Sequence, residues 1–333
     1  MIYRSAMLPN TQRPVALTIA GSDSGGGAGV QADLKTFAAL GVHGASAIAG
    51  LTAQNPRQVL ALQPVSPKML RQQIEAVFAE LSPRAVKTGM LLSAQNVHAV
   101  AEFFKRSSAL RKGRQPGGLR RRSSALSMNL GSEDGPLTPA LSPKGEREKT
   151  SQKLHRVQGF NARILRGILK HHPPLIVDPV MVASSGTRLL NPDAIAVLAR
   201  ELLPLAALVT PNLSEAEILA ERRISTAEDL RAAARLIYRR FGCAALVKGG
   251  HLPAGREALD IFFDGRTELL LTAPFIAGIR THGTGCTYSA AIAAYLALGF
   301  NLQAAVKRAK PFVTRAIAGS YRIGRHSALN PRR

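Results

Sequence analysis

Short apolar runs alternate with amphipathic stretches along most of the chain. The runs are continuously apolar and end in or near Gly, Pro, Asn or Asp, which is typical of strands buried on both faces of a parallel sheet. They cover residues 15–20, 45–51, 85–88, 175–177, 207–209 and 244–247. We therefore expect these runs to form the core of one sheet.

The stretches between the runs have a helical pattern. Residues 69–81 and 227–241 each place their apolar side chains on one face of a helix. Strand and helix in alternation predict a doubly wound α/β sandwich, which binds ligands at the carboxyl ends of its strands. Residues 258–263 and 267–273, on either side of Asp264-Gly265, predict a hairpin at the sheet edge.

One segment of the chain is strongly basic. The chain has 44 Lys and Arg against 21 Asp and Glu, a net charge of +23. Thirteen of the basic and four of the acidic residues lie in residues 105–156, which are rich in Ser, Gly and Pro and have no sustained apolar period. We expect a disordered insertion there. A nucleic-acid-binding arm on Arg120, Arg121 and Arg122 is the alternative, but no aromatic residue interleaves the basic ones to stack on bases.

The organisation that follows is a single domain formed by residues 14–104 and 157–325. We expect flexible termini at residues 1–13 and 326–333. The two cysteines, Cys243 and Cys286, exclude a disulfide scaffold and fit a reducing compartment. The first apolar run resembles a strand more than a signal peptide, and residues 290–300 are too short to span a bilayer. The sequence thus predicts a soluble cytoplasmic protein with no membrane partner.

A glycine-rich motif, residues 21–29, follows the first run and opens a helix. Five glycines in nine residues let the backbone approach a ligand closely. Residues 27–32 match the G-x-G-x-x-A dinucleotide fingerprint, but no acid lies between Asp33 and Glu75 to hold a ribose, so NAD is excluded. The second run leads instead to Gln54, whose amide offers a donor and an acceptor to a heterocycle.

A second motif, Thr-His-Gly-Thr-Gly-Cys at residues 281–286, precedes a helix predicted over 288–298. Backbone amides at such a helix start form an anion hole for a transferring phosphoryl group. Cys286 lies in the first turn, where we expect the helix dipole to lower the thiol pKa. A small buried cysteine is the alternative reading, and it is the one that fits Cys243.

Polar residues at the ends of other predicted strands have either a structural or a ligand-binding role. Asn212 and Glu215 form either a helix capping box or, with Asp178, a water-mediated Mg²⁺ site beside phosphates. Lys248, followed by two glycines, provides a cation where phosphate binding needs one. Met90 alone is more typical of a core than of a ligand pocket. No G-x-x-x-x-G-K-[ST] motif occurs, which excludes a P-loop enzyme.

In this order, these motifs resemble the hydroxymethylpyrimidine/phosphomethylpyrimidine kinases of thiamine biosynthesis, in the ribokinase-like superfamily. The resemblance covers about residues 16–104 and 175–323. Its motifs are Ala-Gly-Ser-Asp-Ser-Gly-Gly-Gly-Ala-Gly-Val-Gln-Ala-Asp-Leu-Lys (20–35), Leu-Thr-Ala-Gln-Asn (51–55), Lys-Thr-Gly-Met (87–90), Val-Asp-Pro-Val-Met (177–181), Thr-Pro-Asn (210–212), Lys-Gly-Gly-His (248–251) and His-Gly-Thr-Gly-Cys-Thr (282–287). It implies a three-layer α/β/α sandwich with a mostly parallel central sheet, interrupted here by the basic insertion.

The resemblance implies ATP-dependent phosphorylation of a hydroxymethyl aminopyrimidine, then of its monophosphate, with Mg²⁺ as cofactor and a homodimer as the assembly. Gln54 would bind the pyrimidine, and Cys286 would stand where related sugar kinases carry an aspartate base. The other implied residues are Gly21, Ala28, Asp33 and Met90 for the pyrimidine pocket; Gly283, Thr284 and Gly285 for the migrating phosphoryl group; Lys248, Asn212, Asp178 and His282 for ATP; and Glu215 and Asp178 for Mg²⁺.

Two other functions stay open at this stage. A pyridoxal or pyridoxine kinase of the same superfamily acts on a similar hydroxymethyl heterocycle, although Gln54 and Met90 favour the pyrimidine. A non-catalytic nucleic-acid-binding protein on a degenerate kinase scaffold would use the net charge of +23. The second is disfavoured because every strand-end motif is intact.

Overall fold

The computed structural model describes residues 12–111, 173–182, 189–250, 257–277 and 282–332, the side chains of 107–111 excepted. Within these ranges one sheet has nine strands in the spatial order β3-β2-β1-β4-β5-β6-β7-β8-β9. The strands are β1 (Val15–Asp23), β2 (His43–Asn55), β3 (Gln58–Pro64), β4 (Ala85–Thr88), β5 (Leu175–Val177), β6 (Leu208–Val209), β7 (Ala244–Lys248), β8 (Glu257–Phe263) and β9 (Glu268–Pro274).

Helices connect most of these strands. They are α1 (Gly29–Ala39), α2 (Pro67–Glu80), α3 (Ala94–Arg111), α4 (Pro192–Val197), α5 (Leu213–Ala220), α6 (Ala227–Phe241), α7 (Thr284–Ala297) and α8 (Leu302–Ala318). Helix α4 continues through a π-helical turn, Leu198–Leu202, and a 3₁₀ turn, Leu203–Leu205. In the part of the chain that is described, no helix is long and apolar enough to cross a membrane.

The central strands are parallel and the outer ones are not. Strands β2, β1, β4, β5, β6 and β7 run parallel, whereas β3 pairs antiparallel with β2, and β8 and β9 form the antiparallel hairpin expected at the edge. The connection direction reverses at β1, which lies between β2 and β4. In open α/β sheets such a switch point opens a crevice at the carboxyl ends of the strands, where ligands bind.

The central strands are mostly apolar because successive residues point alternately into two different cores. Ala16 packs into the core that faces α1, α7 and α8, whereas its neighbour Leu17 packs into the core that faces α2 to α6. Ile176 and Val177 of β5 divide in the same way. The sandwich therefore has three layers, as the sequence predicts.

Two predicted boundaries differ from the structure. Helix α3 runs to Arg111 and so passes the expected start of the insertion at residue 105. Beyond residue 325 the chain is ordered by pairing: β10 (Tyr321–Ile323) and β11 (His326–Ala328) form a hairpin, and the amide of Asn330 donates to the carbonyl of Ala316. The terminus expected to be flexible, residues 326–333, thus contains strand β11. Residues 1–11 and the rest of the insertion lie outside the described ranges.

Candidate active site

The candidate site lies where the carboxyl edge of the sheet meets the beginnings of two helices. Strand β1 ends at Asp23 and β2 at Asn55, while α1 begins at Gly29 and Gly283 is the N-cap of α7. Strands β4, β5 and β7 bring Lys87, Asp178 and Lys248 to the same edge. Thr281 and His251, which belong to two of the sequence motifs, lie outside the described residues.

Two glycine-rich segments touch each other at this edge. We call residues 21–29 the first glycine segment and residues 282–286 the second glycine segment. Gly283 has a φ of +86°, and a Cβ built there would overlap the carbonyl oxygen of Gly27. A Cβ on Gly27 would in turn lie 3.2 Å from the ring of His282. Glycine is required at Gly283 because both its backbone conformation and its close neighbour exclude a side chain.

Asp23, the last residue of β1, holds the first glycine segment together. Its buried carboxylate accepts hydrogen bonds from the amides of Gly25 (2.8 Å), Gly27 (3.0 Å) and Ala28 (2.7 Å). His282 Nε2 lies 3.2 Å from the same carboxylate. Burial alone would raise the pKa of Asp23, but these bonds hold it well below its usual range. Asp23 is therefore an ionised centre that sequence reasoning overlooked.

Gln54 lies beside Asp23, as part of the predicted pyrimidine pocket. Its side chain is half-buried and hydrogen-bonds Asp23, while its backbone amide and carbonyl both bond Ser24 Oγ, at 2.8 and 2.7 Å. The Met90 side chain lies against Gly21, where any Cβ would overlap Met90 Cε. The structure thus brings Gln54 and Met90 to the first glycine segment, which contains Gly21 and Ala28, and the role of these residues in a pyrimidine pocket stays a prediction.

Asp33 departs from its expected place in that pocket. Asp33 and Lys87 have no exposed side-chain surface, and Lys87 Nζ lies 2.8 and 3.0 Å from the two carboxylate oxygens. Thr18 Oγ1 donates to the same carboxylate at 2.6 Å. Burial raises the pKa of Asp33, and Lys87 opposes this rise. Asp33 therefore cannot line an open pocket; it anchors a buried lysine below the site.

Cys286 lies in the first turn of α7 and is half-buried. The amide of Gly29 at the start of α1 donates to its sulfur. Burial raises the pKa of the thiol to about 11, although the positive charge of Lys87 lowers it. The expectation of a thiolate with a lowered pKa is therefore wrong, because loss of solvation outweighs the favourable charge of Lys87. Cys243 is a buried structural cysteine, as expected, and burial raises its pKa to about 12.

Lys248 and Asp178 form an ion pair beside the second glycine segment. Lys248 Nζ lies 3.2 Å from Asp178 Oδ1, and a Cβ on Gly285 would lie 3.1 Å from that amine. Burial opposes the charge on Lys248, but Asp178 and Glu215 raise its pKa. Thr210 and Ser289 donate to Asp178 at 3.3 and 3.1 Å. A charged amine is thus held next to the start of α7.

Asn212 and Glu215 form a helix capping box, one of the two roles that the sequence allows; the other is a Mg²⁺ site. Asn212 Oδ1 accepts from the amide of Glu215 at 3.0 Å, and Glu215 Oε2 accepts from the amide of Asn212 at 2.9 Å. Glu215 Oε1 also accepts from the amide of Met181 at 3.2 Å, and burial raises the pKa of this carboxyl. Across the described ranges, no group of three or more His, Cys, Asp or Glu side chains is arranged to hold a metal ion.

Two of the residues that sequence reasoning missed left a detectable signal. Lys87 is a cation inside an otherwise apolar strand, and a lysine in a buried strand needs a charged partner. Asp23 stands two residues before a glycine, the position from which an Asp side chain bonds the backbone in an Asx turn. Ser289 carried no such signal, because its link to Asp178 depends on how α7 packs.

Solved structures with this fold define the class of protein. The chain resembles an ADP complex of pyridoxal kinase from Bacillus subtilis with a TM-score of 0.70 and 28% identity, over 96% of this chain and 97% of that one. It resembles phosphomethylpyrimidine kinase from Clostridium difficile 630 with a TM-score of 0.64 and 33% identity, over 92% and 100% of the two chains. The fold and its site are those of a ribokinase-like kinase.

Comparison with related sequences identifies the family within this class of kinases. A sequence model described as phosphomethylpyrimidine kinase matches residues 23–112 and 159–330. A hydroxymethylpyrimidine/phosphomethylpyrimidine kinase of Rhizobium meliloti (strain 1021) is 43% identical over 310 residues, which are 93% of this chain and 92% of that protein. The chain belongs to the phosphomethylpyrimidine kinase family.

Proposed function

We propose that this protein transfers a phosphoryl group from ATP to the hydroxymethyl group of an aminopyrimidine, and then a second one to the resulting monophosphate, in thiamine biosynthesis. The observation that carries the proposal is the junction of the two glycine segments. There Gln54, which suits a heterocycle, and the start of α7 beside Lys248, which suits a phosphate, are linked through Asp23 and His282.

Gln54 recognises the ring of the substrate. An amide side chain has two N–H donors and a carbonyl acceptor, so Gln54 can keep its bond to Asp23 and still pair with a ring nitrogen or an amino group. The Met90 side chain and the backbone of Gly21 and Ala28 form the wall beside it.

The second glycine segment holds the migrating phosphoryl group. Its N-cap is Gly283, which makes no side-chain cap bond at the start of α7. The backbone there, at Thr284 and Gly285, and the positive end of the helix dipole would act on an anion. Lys248, with Asn212, Asp178 and His282, serves the ATP phosphates. Phosphoryl transfer depends mainly on such positioning and charge neutralisation.

Cys286 accepts the proton of the substrate hydroxyl. With a pKa raised to about 11 by burial, the thiol must first lose its own proton, and Lys87 and the amide of Gly29 favour the thiolate that results. General-base help of this kind is typically worth about 10²–10⁴-fold in rate. The rate should therefore rise with pH in the neutral range.

Asp178 and Glu215 would hold Mg²⁺ with the help of water. The oxygens of both carboxylates already accept protein hydrogen bonds, and each oxygen keeps further lone-pair capacity. Mg²⁺ usually retains several waters and takes its other ligands from substrate phosphates, which fits this donor set. The ion would neutralise charge on the transferring group.

The β2–β3 edge supports the homodimer. Leu60 and Leu62 are 68% and 37% exposed and lie on the same face of β3. Exposed apolar side chains on an edge strand are a common contact surface between copies of a chain. Sedimentation of the protein and of a Leu60→Glu variant tests this assembly.

A pyridoxal kinase is the second candidate, favoured by the TM-score of 0.70 to the Bacillus subtilis pyridoxal kinase. A coupled assay of ATP consumption with the hydroxymethylpyrimidine and with pyridoxal, followed by mass spectrometry of the products, decides between them. We expect one and then two phosphates on the pyrimidine and a much slower reaction with pyridoxal. A protein that phosphorylates only pyridoxal would contradict the proposal.

A further inference from the structure

Asp23 connects three parts of the site that are far apart in sequence. Its carboxylate, 2% exposed, bonds the amides of Gly25, Gly27 and Ala28, and it also bonds Gln54 at the end of β2 and His282, which is 259 residues away. An Asx turn alone would need only the first of these bonds. The remaining bonds join the heterocycle side of the site to the phosphate side.

The two sides are rigidly spaced because the glycine segments touch. Asp23 Oδ2 accepts from Gly27 and Ala28 as well as from His282, and Gly27 is the residue against which Gly283 packs. The amide of Asp23 itself donates to Gln31 Oε1 at 2.8 Å, which fastens the segment to α1. A shift of the Asp23 carboxylate would therefore move Gln54 and the second glycine segment relative to each other.

We propose that Asp23 is a positioning residue that sets the distance between the pyrimidine and the phosphoryl group, without touching either. The proposal rests on the kinase function given above. The Asp23→Asn variant keeps the size of the side chain but replaces one accepting oxygen by an amino group that faces N–H donors, and it removes the charge. A misplacement of about 1 Å can cost about 10²-fold in rate.

The test compares steady-state kinetics of the wild type, Asp23→Asn and Asp193→Asn. Asp193 is an exposed carboxylate in the first turn of α4 and serves as the matched control. We expect kcat of Asp23→Asn to fall about 100-fold while both KM values change much less, and Asp193→Asn to match the wild type. A folded Asp23→Asn protein with wild-type kcat would overturn the proposal. A wild type inactive on the pyrimidine would instead contradict the kinase function.

Amide hydrogen exchange of the unmutated protein gives a second test that needs no variant. The amides of Gly25, Gly27 and Ala28 should be protected, because all three donate to Asp23. Exchange of all three at the rate of an open loop would overturn the proposal, whether or not the protein turns over a pyrimidine.

Discussion

The two glycine segments look alike in sequence and differ in what their amides bond. In the first glycine segment, the amides of Gly25, Gly27 and Ala28 are bonded to the carboxylate of Asp23. In the second, the helix begins at a glycine N-cap with no side chain, and a Cβ on Gly285 would lie 3.1 Å from the amine of Lys248. The amides of the first segment are therefore already bonded to a carboxylate of the protein, whereas we propose that the second segment binds an anionic ligand.

This difference separates two uses of glycine. In the first segment, glycine lets the chain wrap around Asp23 and lets Gly283 come close. In the second, it places a residue without a side chain at the N-cap of α7. Glycine content alone therefore does not identify a phosphate site; the group that faces the amides does.

Removing Cys286 should have the largest effect at the second segment. Cys286→Ala should keep pyrimidine binding, since Gln54 is untouched, and should lose about 10²–10⁴-fold in kcat. In the wild type, log kcat should rise with pH toward the thiol pKa of about 11, and the variant should lose this slope. Binding measured by calorimetry and kcat measured from pH 6 to 9 check both expectations. Unchanged kcat, or a slope that persists in Cys286→Ala, would remove Cys286 from the mechanism.

Removing the cation beside the second glycine segment, Lys248, should have the second largest effect on kcat. Lys248→Met should lower kcat by about 10²–10³-fold, in the range seen when one preorganised group at a developing charge is lost. Lys310→Met is the control. Lys310 is also buried and pairs with Asp260 at 2.6 Å, but it lies on the buried face of α8 and not beside the second glycine segment. Both variants leave a buried carboxylate unpaired and should lose stability, and only Lys248→Met should lose turnover per folded molecule. Equal kcat losses would refute the distinction.

The state of the Cys286 thiol can be measured directly. A pKa of about 11 instead of about 9 leaves a hundredth as much thiolate near pH 8, so Cys286 should react with iodoacetamide about 100-fold more slowly than a free cysteine. A Cys243→Ser variant confines the reaction to Cys286. Rapid alkylation with a midpoint below pH 8 would show that the helix dipole prevails over burial after all.

Adding a methyl group to the contact between the segments should have the smallest effect of the four. Gly283→Ala combines a φ of +86° with an overlap on Gly27, whereas Gly299→Ala has a φ of +95° and no neighbour within 4 Å. Gly299→Ala should be destabilised by about 1–3 kcal/mol through backbone strain, and Gly283→Ala by more, because its Cβ also overlaps a backbone oxygen. Only Gly283→Ala should also lose kcat, by about 10- to 100-fold. Urea unfolding and kinetics of the pair separate strain from displacement; identical kcat values would contradict the contact.

The central sheet could be predicted from the sequence because its strands are apolar on both faces. Strand β3 could not, since six of its seven residues are exposed and Leu60 and Leu62 give no pattern of burial. Helix α8 was missed as well; it contains Pro311 and buries Lys310 against Asp260, so its sequence resembles neither an ideal helix nor a core segment. Both elements are stabilised by contacts that only the assembled fold provides.

The site was predictable in its positions and less so in its electrostatics. The sequence placed Gln54, Met90 and the two glycine segments at strand ends, and in the structure they lie at one edge of the sheet, while their roles stay predictions. The spacing could not reveal that Asp33 is buried with Lys87, or that burial raises the pKa of Cys286. Solvation depends on the atoms that surround a group in three dimensions, and no motif records them.

Amide exchange in the presence of a transition-state mimic shows whether the second glycine segment binds the migrating phosphoryl group. The protein would be saturated with ADP, aluminium fluoride, Mg²⁺ and the hydroxymethylpyrimidine, and exchange would be followed residue by residue by NMR. We expect the amides of Thr284, Gly285 and Cys286 to become strongly protected, while those of Gly25, Gly27 and Ala28, already bonded to Asp23, change little. Protection gained only in the first glycine segment, or in neither, would contradict phosphoryl binding at the second.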